Sequence, residues 1–201
     1  ERIPAADENL LNSTRSTDFM TPKNEASIAF REAALEMAED LPFARRIVNS
    51  GRLSLPHTYV ATPLSTPDAE AWERGVRPGA PAPDAPVEVA DGQPWLLRRL
   101  GGRFTLLRFA DDATAAPLKV PAGVTVVTVA RNGRPDAGTV IDRDGTAFAR
   151  WDAVDGTAYL IRPDQHVTAR WRKPKPGDIG VALDRALGRG DATDARRAAG
   201  G

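Results

Sequence analysis

Cysteine is absent from the 201 residues, and histidine occurs only twice, as His57 and His166. Without cysteine the chain has no disulfide, no thiol nucleophile and no thiolate metal ligand. The two histidines lie far apart and have very different sequence neighbours, which argues against a histidine-based metal site. These absences count strongly against a thiol redox enzyme or a metalloenzyme.

An excess of one charge and long apolar runs are also lacking. Lysine and arginine number 27, aspartate and glutamate also 27, so the formal net charge is zero. Proteins that bind nucleic acid or membrane surfaces usually carry a basic excess or stripe. No run of 18 apolar residues occurs, and the opening residues are polar, unlike a signal peptide. We therefore expect a cytoplasmic protein that binds neither nucleic acid nor membranes.

A glycine-rich phosphate-binding turn is missing too. The pattern G-x-G-x-x-G lets a helix N-terminus approach a pyrophosphate after a strand. It occurs nowhere here, since the pairs Gly101-Gly102 and Gly200-Gly201 have the wrong spacing. We therefore predict that this chain alone binds no dinucleotide cofactor.

Helical periodicity dominates residues 1–51. It predicts a helix over residues 22–40, with Thr21 as the N-cap and Pro22 in the first turn, and a second helix over residues 41–49. Apolar residues recur three or four positions apart, which predicts one buried face on the first helix. That face consists of Ala26, Phe30, Ala33, Met37 and Leu41.

A proline-rich stretch, residues 52–86, follows and lacks sustained periodicity. It indicates a connector that runs over a surface, with Trp72 as a candidate anchor. From residue 87 the pattern becomes mixed. It predicts a helical turn at 95–100, strands at 104–110 and 124–130, a hairpin of 159–161 with 167–171, and a helix at 178–187.

These elements predict an α/β chain in four parts. A helical segment (1–51) and the connector (52–86) precede a domain over residues 87–190, with a central sheet of about four to five strands and flanking helices. A flexible tail of small and polar residues follows at 191–201. The order of two strands, a hairpin and a closing helix is that of a thioredoxin-type fold.

Several motifs carry a resemblance to known families. GAPAPD at residues 79–84 and FTLLRF at 104–109 resemble the opening and first core strand of peroxiredoxins, and DRDG at 142–145 resembles a later turn. WLLRRLGGRFTLL at 95–107 and YLIRPDQHVTARW at 159–171 are similar to the thioredoxin-like C-terminal domain of class A flavin monooxygenases. These enzymes hydroxylate phenols, hydroxyphenylpropionates and polyketide aromatics. ERIP at 1–4 and the stretch 53–67 resemble other parts of the same enzymes.

The resemblance implies a parent enzyme that uses FAD, NAD(P)H and O2 to hydroxylate an aromatic substrate. This chain would be its C-terminal, non-catalytic portion, with a structural role or a role in subunit contact. Its partners would be the missing N-terminal FAD domain and possible further copies in a homo-oligomer. The alternative is a free-standing, thioredoxin-like interaction module without redox activity. A thiol redox enzyme is a third hypothesis, which the lack of cysteine opposes.

The remaining candidate site residues all favour structural roles. We expect His57 at the surface, His166 exposed on the hairpin turn, and Asp111 with Asp112 in a strand-end turn, because adjacent carboxylates point apart. Gln165 stands where the related enzymes often have glycine, and a positive φ there would cost about 1 kcal/mol.

The last candidates are basic and aromatic side chains near the hairpin. A solvated strand end is favoured over phosphate binding for the basic cluster of Arg170, Arg172, Lys173 and Lys175. Core or interface positions are favoured for the indoles of Trp95, Trp151 and Trp171. We therefore predict no catalytic, cofactor-binding or metal-binding residue in this chain.

Overall fold

The computed structural model describes residues 1–48 and 56–189 and divides into two units. The first, Glu1–Tyr59, is called the helical unit, and the second, Val60–Gly201, the sheet unit. The end of the second predicted helix at residue 49, the predicted boundary at 51 and the predicted tail at 191–201 lie outside the described residues. Within those residues, no helix combines the length and apolarity that a membrane span requires.

Three helices form the helical unit: α1 (Arg2–Met20), α2 (Glu25–Asp40) and α3 (Pro42–Val48). The predicted cap of α2 was wrong. Asn24 is the N-cap, and its side-chain oxygen accepts a hydrogen bond of 2.8 Å from the Ser27 N–H. Thr21 instead ends α1, because its N–H and hydroxyl both donate to the Thr17 carbonyl. Thr21 and Asn24 are both good capping residues three positions apart, so sequence alone could not separate them.

The predicted buried face of α2 was also wrong. Phe30 is 58% exposed and Met37 is 39% exposed. The face turned inward carries Ser27, Arg31, Ala34 and Ala38. Small residues on that face let α2 and α3 approach closely. Of the described residues of the helical unit, only Ala34 and Ala44 are buried.

Five strands form the sheet: β1 (Phe104–Asp112), β2 (Val124–Asn132), β3 (Thr139–Ile141), β4 (Ala158–Ile161) and β5 (Val167–Trp171). The order is β3-β2-β1-β4-β5. The first three strands are parallel, whereas β4 and β5 are antiparallel to their neighbours. Helices α4 (Thr146–Arg150) and α5 (Asp178–Ala186) flank the sheet. The predicted fold class, N-terminal helices followed by a mixed sheet with flanking helices, is confirmed.

Alternate residues of the strands enter two separate cores. Leu107 and Phe109 of β1 pack with α4 and with the predicted helical turn, which is a 3-10 helix over Leu96–Arg99. Leu106 points to the other face and packs with α5. This alternation is the normal consequence of strand geometry. Both faces of the sheet are therefore covered by residues of the same unit.

A segment that we call the strap, residues 79–88, spans the width of the sheet. At one edge the Gly79 N–H donates to the Val167 carbonyl of β5 over 2.7 Å. At the opposite edge Glu88 and Ile141 of β3 exchange backbone hydrogen bonds of 2.8 and 2.9 Å. Between them Ala82 and Ala85 enter the core. The strap pairs with both edge strands, which would otherwise present unpaired backbone groups.

Candidate functional site

The connection after β1 is where a thioredoxin-like redox domain would carry its reactive thiol. Here β1 ends in Asp111 and Asp112, and residues 113–123 contain no helix. The Asp112 carboxylate accepts hydrogen bonds from the Thr114 hydroxyl at 2.7 Å and its N–H at 2.8 Å, and these bonds lower the pKa of Asp112. The two aspartates thus form the strand-end turn that was predicted for them. No helix dipole or sulfur is present at this point to support redox chemistry.

The segment before β4, the other half of such a redox site, is filled by structural hydrogen bonds. Its sequence is Gly156-Thr157-Ala158, and the described residues contain no cis peptide bond. The Thr157 carbonyl accepts from the Phe109 N–H at 2.8 Å, and its hydroxyl accepts from the Val154 N–H at 3.0 Å. Thr157 is fully buried. Its carbonyl bond holds the start of β4 beside β1, and its hydroxyl bond closes the turn that precedes β4.

Arg170 lies in a group of polar contacts in the sheet unit, and the prediction of a solvated strand end was wrong for it. Only 6% of its side chain is exposed, and its guanidinium donates to both carboxylate oxygens of Asp68 at 2.6 and 2.8 Å. Burial lowers the pKa of Arg170, but the interactions with Asp68 and Tyr159 together leave it raised. The connector folds back on β5 and brings this carboxylate to it.

Trp72 packs beside the same guanidinium. Its ring centroid lies 4.3 Å from Cζ of Arg170 and 3.8 Å from Cζ of Arg172, within the range of cation–π attraction. Arg172 in turn pairs with Asp152 at 2.6 Å. Trp72 is therefore the anchor of the connector, as predicted. We call this group the Trp72 cluster; its members are Asp68, Trp72, Asp152, Tyr159, Arg170 and Arg172.

Tyr159 forms the floor of the Trp72 cluster. Its hydroxyl donates to the Trp151 carbonyl, and its ring lies 5.7 Å from that of Trp72. Burial raises the pKa of Tyr159, and the nearby Arg170 and Arg172 only partly oppose this. The phenol therefore stays protonated at neutral pH. Each charge of the cluster meets an opposite charge within it, so the cluster stabilises the fold.

The hairpin turn holds two further residues of interest. His166 is only 7% exposed, so its predicted exposure was wrong; the strap residue Pro81 pairs with it and covers the turn. Gln165 has a φ of 64°. Its side-chain nitrogen donates to the carbonyls of Leu97 and Leu100, both at 3.0 Å. Those bonds satisfy the end of the 3-10 helix and explain why a residue other than glycine stands there.

The other predicted residues are dispersed. His57 is partly buried, and its Nδ1 forms a hydrogen bond with the Glu8 carboxylate of α1. Trp151 is buried and Trp171 is partly buried, whereas Trp95 is 45% exposed. Lys173 and Lys175 are exposed, as expected. Sequence reasoning missed Asp68 and Asp152, because their partners lie far away along the chain.

A metal ion would need a cluster of ligating side chains, and a dinucleotide would need a cradle for its pyrophosphate. The described residues contain no group of three carboxylate or imidazole side chains that could hold a metal ion. The junction that most resembles a phosphate cradle is β3–Gly145–α4, where α4 has only five residues. There the Phe148 N–H already donates to the Asp142 carboxylate at 2.9 Å. A second anion would be repelled by that carboxylate, so this junction does not suit the FAD pyrophosphate.

Comparison with known proteins bears on the identity of the sheet unit. The profile of the family described as aromatic-ring hydroxylase, C-terminal, matches residues 76–190. Comparison with curated proteins gave no match.

Three solved structures are similar over most of this chain. The flavin-dependent monooxygenase PieE, in complex with FAD and substrate, aligns with a TM-score of 0.55 at 24% identity over 86% of this chain and 31% of its own. RebC-10x, native and with K252c bound, aligns with a TM-score of 0.57 at 22% identity over 94% of this chain and 36% of its own. Aklavinone-11 hydroxylase, in a ternary complex with FAD and aklavinone, aligns with a TM-score of 0.52 at 21% identity. The alignment covers 79% of this chain and 34% of its own. This chain thus spans about a third of their length.

Proposed function

We propose, from the premise that this chain belongs to the aromatic-ring hydroxylase C-terminal family, that it is the C-terminal, non-catalytic portion of an FAD-dependent monooxygenase. The whole enzyme would hydroxylate an aromatic compound with NAD(P)H and O2. The helical unit would complete its core against the flavin-binding part of that enzyme. The sheet unit would have a structural role or take part in subunit contacts.

The contrast between the two units carries the proposal. The sheet unit has two well-filled cores that contain no reactive group. The helical unit buries only Ala34 and Ala44 in its described part. Ordering its backbone costs roughly 1–2 kcal/mol per residue, whereas each buried methyl group returns only about 1 kcal/mol. Such a unit needs further apolar surface from elsewhere to be stable.

The exposed side chains of the helical unit also support the proposal. Among the residues that the structure describes, eleven of the sixteen exposed large apolar residues belong to it. They are Ile3, Leu10, Leu11, Met20, Ile28, Phe30, Leu35, Met37, Leu41, Phe43 and Ile47. Exposed apolar side chains concentrated in one small unit indicate an interface.

The similar structures support FAD as the cofactor of the whole enzyme. PieE and aklavinone-11 hydroxylase were both solved with FAD, and this chain spans only about a third of each. Because the β3–Gly145–α4 junction does not suit the pyrophosphate, the flavin would bind to the other two thirds. The parallel β1–β2 pair followed by the antiparallel β4–β5 hairpin also agrees with a thioredoxin-like classification.

Flavin absorbance tests the proposal. The purified chain should remain colourless after incubation with FAD and gel filtration. A longer polypeptide that includes the upstream region should retain about one FAD per chain and oxidise NAD(P)H when given an aromatic substrate. Stoichiometric FAD on the chain alone would refute the non-catalytic role. A stable chain whose upstream region encodes no flavin domain would favour the free-standing interaction module instead.

A further inference from the structure

The connector runs beside the outer edge of β5 in a fixed register. Three contacts join the two segments, and in each of them the partners are 102 positions apart in sequence. A constant separation at alternate residues means that both segments run in the same direction, with the spacing of a parallel strand pair. We call residues 66–70 of the connector the guard segment. The three pairs are Thr66 with Thr168, Asp68 with Arg170, and Glu70 with Arg172.

Two carboxylates of the guard segment take the place of strand backbone. Among the three contacts, only that of Thr66 joins two backbone groups, its N–H and a β5 carbonyl at 2.7 Å. The Asp68 carboxylate accepts both hydrogen bonds from the Arg170 guanidinium. The Glu70 carboxylate accepts a bond of 2.9 Å from the Arg172 N–H. The edge therefore binds an extended segment that has carboxylates two positions apart, and charge selects that segment from other extended segments.

The guard segment is held by polar contacts and has little apolar anchoring. Between Leu64 and Trp72 the sequence contains no large apolar residue, and residues 67–70 are all exposed. The strap, in contrast, places three of its residues in the sheet unit's core. Segments with few buried apolar contacts open locally at low cost. The guard segment can therefore leave the edge of β5 while both cores stay closed.

We propose that the outer edge of β5 is a recognition site for an extended acidic segment, and that the guard segment occupies this site as an autoinhibitory contact. The partner lies along β5 as an added strand and supplies an N–H and two carboxylates at alternate positions. A second copy that pairs through its own β5 edge is disfavoured, because it brings no carboxylate to either Arg170. The site lies in the sheet unit and does not depend on the proposed function.

The covalent link gives the guard segment an advantage over a separate chain. A segment tethered beside its site acts at an effective concentration on the order of millimolar. A free segment that makes the same contacts must exceed that concentration to replace it. Binding from outside becomes measurable at lower concentration once the carboxylates of the guard segment are neutralised.

A fluorescent peptide with the sequence of residues 62–71, TPLSTPDAEA, is the probe. Its binding to the full chain is measured by fluorescence anisotropy. The opened chain carries Asp68→Asn with Glu70→Gln, and a control peptide carries the same two substitutions. Glu73→Gln with Asp184→Asn is the matched control protein, since both residues are exposed in the sheet unit and the net charge changes equally.

The opened chain should bind the acidic peptide at least about tenfold more tightly than the wild type and the control protein do. It should bind the control peptide at least about tenfold more weakly than the acidic peptide, because hydrogen bonds to charged groups are the stronger ones. Near-ultraviolet circular dichroism shows whether the opened chain is folded. Thr66→Pro with Glu70→Gln is a second opened variant that keeps the Asp68 carboxylate, and it should show the same preference between the two peptides.

Four results would overturn the inference. Equal binding of both peptides to a folded opened chain would refute recognition of carboxylates, and binding of neither peptide would refute the recognition site. Loss of folding in both opened variants would show that the guard segment is part of the core and is not a releasable contact. Self-association of the opened chain in sedimentation, increasing with its concentration, would identify a second copy as the occupant.

Discussion

The Arg170 guanidinium and the Asp68 carboxylate, 102 positions apart in sequence, form a two-bond ion pair with distances of 2.6 and 2.8 Å. Removing the carboxylate would leave a charge whose side chain is only 6% exposed without its main partner. We therefore expect Asp68→Asn to lower the free energy of unfolding by about 2 kcal/mol, below the full cost for a buried pair because Asp68 is 30% exposed. Urea denaturation provides the measurement.

Asp18→Asn is the control for this prediction. Its carboxylate pairs with Lys23 at 3.7 Å, and both side chains are largely exposed. Exposed pairs contribute little, so the change should stay within about 0.5 kcal/mol. Equal effects of the two substitutions would contradict the role assigned to the Trp72 cluster.

Replacement of Gln165 by glycine should destabilise the protein, although the positive φ of Gln165 favours glycine. Glycine would relieve the positive φ, which alone would gain about 1 kcal/mol. It would also remove the two hydrogen bonds to the carbonyls of Leu97 and Leu100, each worth about 1 kcal/mol. We expect Gln165→Gly to be about 1 kcal/mol less stable than the wild type, and Gln165→Ala less stable still, by thermal unfolding. A glycine variant more stable than the wild type would show that these bonds contribute less than the strain that glycine relieves.

Gly75 tests the close packing beneath Trp72. Its φ is 81°, and an added Cβ would lie 2.9 Å from the Trp151 carbonyl oxygen and 2.9 Å from Cβ of Asp152. Gly75→Ala should therefore cost more than about 2 kcal/mol by urea denaturation. Gly92 also has a positive φ, but a Cβ added there would meet no atom within 4 Å. Gly92→Ala should therefore lose only the stability that backbone strain costs, about 1 kcal/mol. If the two variants lose equal stability, the close contact at Gly75 is not tight.

Because Tyr159 is buried, we predict that the sheet unit loses stability at alkaline pH. Burial raises the pKa of this phenol in the folded state, while the unfolded value is about 10. The contribution of the neutral phenol is complete below about pH 10, and it is lost as the pH rises above that value towards the folded pKa. Urea denaturation between about pH 8 and 11 should show a decline in stability that is smaller in Tyr159→Phe. Identical declines in both proteins would exclude Tyr159 as the cause.

Much of the sheet could be predicted from sequence, because β1 and β2 are runs of β-branched and apolar residues buried inside the unit. The strands predicted at 104–110 and 124–130 differ from the observed ones by only two residues at one end. In contrast, β3 and α4 have three and five residues, too few for a periodic pattern to be recognised.

The wrong predictions concern the burial of individual side chains. Burial depends on which distant residues cover a side chain, and the local sequence pattern does not encode this. Periodicity identifies Phe30 and Met37 as one apolar face of α2, but it cannot tell whether that face meets this chain or another polypeptide. Arg170 resembles a solvated strand end until Asp68 is brought to it from the connector. His166 resembles a turn residue until the strap covers it. Each of these contacts joins residues that are distant in sequence.

Amide hydrogen exchange tests the contrast between the two units most directly. In the isolated chain, amides of α1, α2 and α3 should exchange at least about 100-fold faster than those of β1 and β4, because the helical unit has so small a core of its own. In the longer polypeptide with the upstream region, the helical amides should become protected and the sheet amides should stay as they were. Helical amides that are as well protected as those of β1 in the isolated chain would contradict the account.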